Sequence, residues 1–351
     1  MTALTRPARP EEEDDARPRP IPWRRMAGVT WRQHRIALAG VAVLLGALAV
    51  YLWIAGLPLD HAYAAAVVCH PASSAACQGL DSALDGMDNF LSNGFVLQVL
   101  PVLIGAFVGA PVLARELETG TFRYAWTQGF GRRRWAVAKL VLLAVVVTAA
   151  AGAFGALLTW YYQPFLSDNQ FLGLPKTTPF APGMFDLRGV GFPAWTLAAF
   201  AIGVLAGMLI RRVVPAIATT LVVYVGLAFA AAGFLREHYL APLVTSGLYS
   251  NVPSNAWIVS TWWTKDGRVA FGDYPPASIL NQFCPPTSAG KGGGPSEGWG
   301  PCLVQHGYAM WTSYQPASRF WPFQWIEGGW LLALSLLLIA AAIWLVHRRA
   351  A

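Results

Sequence analysis

Charge is scarce in this chain: Asp, Glu, Lys and Arg make up 12% of its 351 residues, about half the share usual in soluble domains. Hydrophobic residues make up 55%, and the mean hydropathy is +0.44. An ordinary water-soluble fold is excluded first. The six longest apolar runs contain no Asp, Glu or His, with Lys139 and Glu327 only at run ends. A secondary transporter holds its driving ion with such groups inside a span, so ion coupling is disfavoured. Acid–base or metal catalysis within the membrane needs the same missing groups. A phosphate-cradling loop is lacking too. Its pattern is G-x-x-x-x-G-K-[ST], and the nearest stretch, SAGKGGG at 288–294, has the wrong spacing. His61, His70, Asp81 and Asp85 form no nucleophile–base pair by spacing, which disfavours an outward-facing membrane enzyme. The chain therefore has no cofactor site of its own, and any ATP would be hydrolysed, with its Mg, by a separate chain.

The apolar runs are of spanning length, about 18–25 residues. They lie at about 36–57, 95–114, 136–161, 192–210, 213–233 and 328–346. The fourth and fifth are separated only by Arg211 and Arg212. An even count places both termini on one side, and basic residues identify that side as cytoplasmic. The inner segments then carry 18 of the 25 Lys and Arg and a net charge of +11, against −4 outside. This bias, facing anionic lipid, accounts for the +7 net charge without nucleic acid. The tripeptide AYA at 62–64 mimics a signal-peptidase site. Its apolar core is too long and begins too late for a signal peptide, so an uncleaved first span is expected.

All four cysteines fall in outer segments. Two loop-local disulfides, Cys69 with Cys77 and Cys284 with Cys302, are the simplest account in an oxidising exterior. The rival, a metal site of Cys284, Cys302 and His306, matches no common zinc spacing. The outer segments run over about 58–94, 162–191 and 234–327. The last is rich in Gly, Pro and Trp and reads as a loop-rich cap rather than a packed domain. FWPFQWIEGGW at 320–330 reads as an aromatic belt anchoring the last span.

Residues 1–21 read as a disordered tail and 347–351 as a second cytoplasmic tail. At 22–35, Trp23, Met26, Ala27, Thr30 and Trp31 share one helical face and Arg24, Arg25, Arg32 and Arg35 the other, as in an interfacial helix. Topogenic charge alone would also explain those arginines. Inside the spans, Gly105/Gly109 and Gly203/Gly207 permit close helix approach and offer a candidate oligomer interface. Pro101, Pro111 and Pro215 mark kinks or ends. Polar groups there are few: Gln98, Thr148, Thr159, Thr196, Thr219, Thr220 and Tyr224.

The second span ends in A-R-E-x-E-x-G-T, formed by Arg115, Glu116, Glu118, Gly120 and Thr121; Arg132, Arg133, Arg134 and Lys139 follow before the third. With an interfacial helix, six spans and a short second inner loop, this order resembles the membrane subunit of ABC-2 type (ABC exporter) permeases. The WRQHR segment is similar to actinobacterial members. The resemblance implies an all-α polytopic fold in the bacterial plasma membrane and a coupling helix that docks on a cytoplasmic ABC ATPase. It also implies pairing with itself or a sibling permease and export of a hydrophobic or amphipathic compound. The residues suit docking: Glu116 and Glu118 leave the membrane, Thr119, Gly120 and Thr121 recap the helix, and Phe122, Ala125 and Trp126 make an apolar edge beside Arg123. Topogenesis alone does not require the two acids. Arg132 to Arg134 and Lys139 are expected to anchor the third span at the headgroups, and Gln98, Thr219, Thr220 and Tyr224 to line the pathway. A non-transporting ligand-binding or immunity protein is the alternative. The family's short re-entrant helices between spans five and six are replaced here by about 90 residues.

Overall fold

The computed structural model describes residues 23–67, 96–120, 132–166, 178–248, 252–284 and 299–348. Among the described residues, six helices are long and apolar enough to cross a membrane. We number them with the shorter elements in chain order: α1 Trp23–Val67, α2 Val99–Thr119, α3 Arg132–Leu166, the short α4 Pro182–Phe185, α5 Gly191–Ile210 and α6 Val213–Ala230. There follow strands β1 Leu243–Ser246, β2 Trp257–Lys265 and β3 Arg268–Phe271, helices α7 Ala277–Phe283 and α8 Trp299–Gln305, strand β4 Tyr308–Gln315 and helix α9 Phe320–Arg348. The six spanning candidates are thus α1, α2, α3, α5, α6 and α9.

α5 is the centre of the bundle, packed by α2, α3, α6 and α9. Two thirds of the apolar window is buried in α2 and in α5, but only 17% in α1 and in α6. The outer helices therefore keep apolar side chains such as Val43, Val222 and Phe229 exposed, as a lipid-facing surface requires. The α2–α5 crossing explains the two glycine pairs. A Cβ on Gly105 would lie 2.4 Å from the Ala199 carbonyl carbon, and one on Gly207 2.4 Å from the Ala110 carbonyl oxygen. The pairs are spent on each other within one chain, which removes the expectation that they form an oligomer interface. Gly105–Gly109 is a π-turn, with Ala110 N–H bonded to Gly105 O. Its wider turn accommodates the Pro111 ring, which would crowd a regular α-turn.

Three expectations need correction. The interfacial segment and the first span are a single 45-residue helix with no break at Arg35–Ile36; Met26 and Thr30 pack inward while Trp31 is exposed. The segment after α6 is not simply loop-rich: it contains a four-stranded antiparallel sheet in the order β1-β4-β2-β3. Trp263, Leu303 and Met310 are buried beneath it with Phe271 and Tyr308. Cys284 and Cys302 form a disulfide with Cα atoms 6.0 Å apart, joining α7 to α8. That bond consumes both thiols of the rival metal site. Cys69 and Cys77 lie outside the described residues. The aromatic belt is divided. Trp321 and Trp325 face outward, but Phe323 is fully buried against Phe180 (ring centroids 5.0 Å apart) and Trp257, fastening the sheet to α9.

Candidate functional sites at the two ends of the bundle

At the end of α2, Gly120 adopts φ +71° and stops the helix as a left-handed cap, while Thr119 Oγ1 donates to Arg115 O (2.8 Å). Glu116 and Glu118 then tie α2 to two other helices. Lys139 Nζ of α3 donates to Glu116 Oε1 at 2.5 Å. The Lys139 side chain is only 1% exposed and lies 5.1 Å from the Trp135 ring centroid. It is therefore an internal strut, not the expected headgroup anchor; ion pairing makes its burial tolerable. Glu118 Oε2 accepts the backbone N–H of Val213, the first residue of α6 (3.1 Å), where the helix dipole and unpaired amides favour an anion. Arg115 and Arg134 are exposed, and nothing is described of the Arg132 and Arg133 side chains. Thr121, Phe122, Arg123 and Trp126 lie outside the described residues. A cavity of about 680 Å³ opens between α1 and α2, lined by His34, Phe107, Arg115, Glu116 and Lys139 among others.

At the opposite end, a groove of about 370 Å³ lies between α2 and α6, floored by α5. Gln98 and Tyr224 line it together. Thr219 and Thr220, expected beside them, do not: their hydroxyls bond back to Pro215 O and Ala216 O, and Thr219 is exposed. A helical Thr that satisfies its hydroxyl one turn back offers little to a ligand.

Next to the groove lies a cluster that the sequence reading missed. Arg236 is 2% exposed, with its guanidinium 4.2 Å from the Phe185 ring centroid. Its Nε and Nη2 donate to Glu327 at 3.1 and 2.8 Å, and Nη2 also donates to Asp186 Oδ1 at 2.5 Å. Trp195 Nε1 (2.9 Å) and Tyr239 OH (3.2 Å) complete the shell of Glu327, which is fully buried. The six apolar runs themselves contain no carboxylate, but α9 begins before its run and carries Glu327, at the run's end, into the packed interior. Burial, reinforced by the neighbouring Glu327 carboxylate, lifts Asp186 to about 7 despite the opposing Arg236. Gln324, one turn before Glu327, accepts from Gly191 N and donates to Phe185 O, both at 2.7 Å, which fixes α9 to the α4–α5 junction.

The family described as ABC-2 membrane transporter related matches residues 42–236, from the first span through Arg236. No curated protein and no solved structure matches the chain.

Proposed function

The chain belongs to the ABC-2 membrane transporter related family, and on that premise we propose that it is the permease subunit of an ABC exporter in the bacterial cell membrane. Its cargo is a hydrophobic or amphipathic compound, and the work comes from ATP and Mg held by a separate cytoplasmic ATPase chain. Two permease chains, identical or sibling, form the path. The turn at Arg211 and Arg212 and the end of α2 face the cytoplasm; the disulfide-bearing sheet faces the oxidising exterior.

The observation that carries the coupling role is the pair of links from the acids of α2. Glu116 reaches Lys139 of α3, and Glu118 reaches the first backbone N–H of α6. A partner that grips the segment after Gly120 thus pulls on three helices at once. Phe122→Ala with Trp126→Ala, which leaves the Glu116–Lys139 pair in place, should leave membrane insertion intact and break the ATPase association. Co-purification with the ATPase and compound-stimulated ATP hydrolysis are the readouts. Normal values of both in the double variant would rule out docking through this segment. A neighbouring reading frame encoding a soluble chain with GxxxxGK[ST] would supply the partner for the assay.

A further inference from the structure

The groove between α2 and α6 adjoins an unbalanced charge. One guanidinium, that of Arg236, serves two carboxylates. Glu327 receives bonds from Arg236, Trp195 and Tyr239 and is fully buried. Asp186 borders the groove, with 22% of its side chain exposed. With both acids ionised the cluster carries one negative charge in excess, and the exposed share of it is at Asp186.

The groove walls are apolar, with Val102, Leu221 and Val225 beside the Trp195 and Tyr224 rings. Gln98 Nε2, also in the lining, is buried without a hydrogen-bond partner among the described residues. A carboxylate that shares its guanidinium with a second acid, beside apolar walls, is costly to ionise unless a proton or another cation is brought to it. Aromatic faces stabilise organic cations further. The volume suits a drug-sized molecule. A hydrated metal ion would leave the apolar walls and the Gln98 donor unused.

We propose that this groove binds a lipophilic organic cation, its positive centre against Asp186 and its apolar body between α2 and α6. Gln98 Nε2 donates to a hydrogen-bond acceptor on the ligand where it has one. As cargo recognition this rests on the permease reading; as a binding site it does not. A proton competes with the ligand for Asp186, because burial and Glu327 lift that carboxyl to about 7. Among the described residues, Arg236, Glu327 and Tyr224 are the charged or titratable groups set against Asp186, while Tyr239 bonds to Glu327 and Arg188 lies over the Phe320 ring.

The test is equilibrium dialysis of the purified full chain in a zwitterionic detergent against tetraphenylphosphonium, with tetraphenylborate as the anion of equal shape. Wild type should bind the cation saturably at about pH 8, and about tenfold more weakly at about pH 5.5. Asp186→Asn should lose about tenfold or more at the higher pH, and Asp186→Glu should restore part of it. Val225→Trp fills the groove and leaves the charges in place, so it should also weaken binding; it serves as the deciding variant if Asp186→Asn does not fold. Tetraphenylborate uptake should be the same in wild type and Asp186→Asn. Equal cation binding by wild type and Asp186→Asn, or binding unchanged by Val225→Trp, would overturn the site. A chain that drives ATPase coupling but ignores the cation keeps the permease reading and loses this one. A chain that binds the cation with no ATPase partner does the reverse.

Discussion

Glu327 is held by Arg236, Trp195 and Tyr239, and each of those donors is left short if the carboxylate goes. Arg236 would keep Asp186, but a buried donor left without its acceptor costs about 1–3 kcal/mol, so Glu327→Ala, which strips Trp195 Nε1 and Tyr239 OH of theirs, should lower the thermal midpoint of the detergent-purified protein. A midpoint within error of wild type would mean that the cluster is not a structural centre. Asp186 should act in the opposite sense at high pH. Its folded pKa, about 7, lies above the ordinary value of 3.8, so the unfolded chain releases the proton first. Its contribution to stability is complete below about pH 4 and is lost as pH rises toward 7. Asp186→Asn should therefore flatten the fall in midpoint between about pH 5 and about pH 8. Parallel curves for the two proteins would remove Asp186 as the titrating group. Of this cluster, almost nothing was readable in advance. Arg236 lies 50 residues from Asp186 and 91 from Glu327, and Glu327 falls one position before the last apolar run. Gln98 and Tyr224 were legible as rare polar groups in apolar helices; whether a hydroxyl faces a groove, as for Thr219, depends on rotation that composition does not specify.

Helix-scale features were more legible because their signals are local. Gly105, Gly109, Gly203 and Gly207 announced a close crossing, and only its partner had to come from the structure. Built Cβ atoms there meet backbone at 2.4–2.6 Å, so Gly105→Ala and Gly207→Ala should each destabilise by about 1–3 kcal/mol through overpacking. Unchanged thermal midpoints would show that α2 and α5 are further apart than described. The sheet had a signal that went unused. Lys265-Asp266-Gly267-Arg268 follows a strand rich in Trp, Thr and Val, and Asp266 and Gly267 take φ +52° and +75° as a two-residue hairpin needs. The nearby run of Gly, Pro and Lys at 288–295 hid it. Reduction of Cys284–Cys302, which closes a loop with a sequence separation of 18, should cost about 3 kcal/mol by the loop-entropy account. Differential scanning with and without reductant on Cys284→Ser/Cys302→Ser would check this; an identical shift in that variant would assign the effect elsewhere.

For the molecule as a whole, α6 leads into β1 after His238, and β4 leads through Ala317–Arg319 into α9. β1 and β4 are paired directly, Leu243 opposite Tyr314 and Ser246 opposite Trp311. Gln315 Nε2 and Arg319 Nη1 add bonds to Leu240 O and Ala241 O, both at 2.6 Å. The ladder thus works as a tie-rod: separating the sheet-side ends of α6 and α9 would mean tearing strand hydrogen bonds. A disulfide between Val244→Cys and Ser313→Cys, which face each other in register, should leave compound-stimulated ATP hydrolysis unchanged; its abolition would mean that this seam opens in the cycle. The ladder binds α6 to α9 and not to α2, so it leaves the α2–α6 groove beside Asp186 without a strand tie across its mouth.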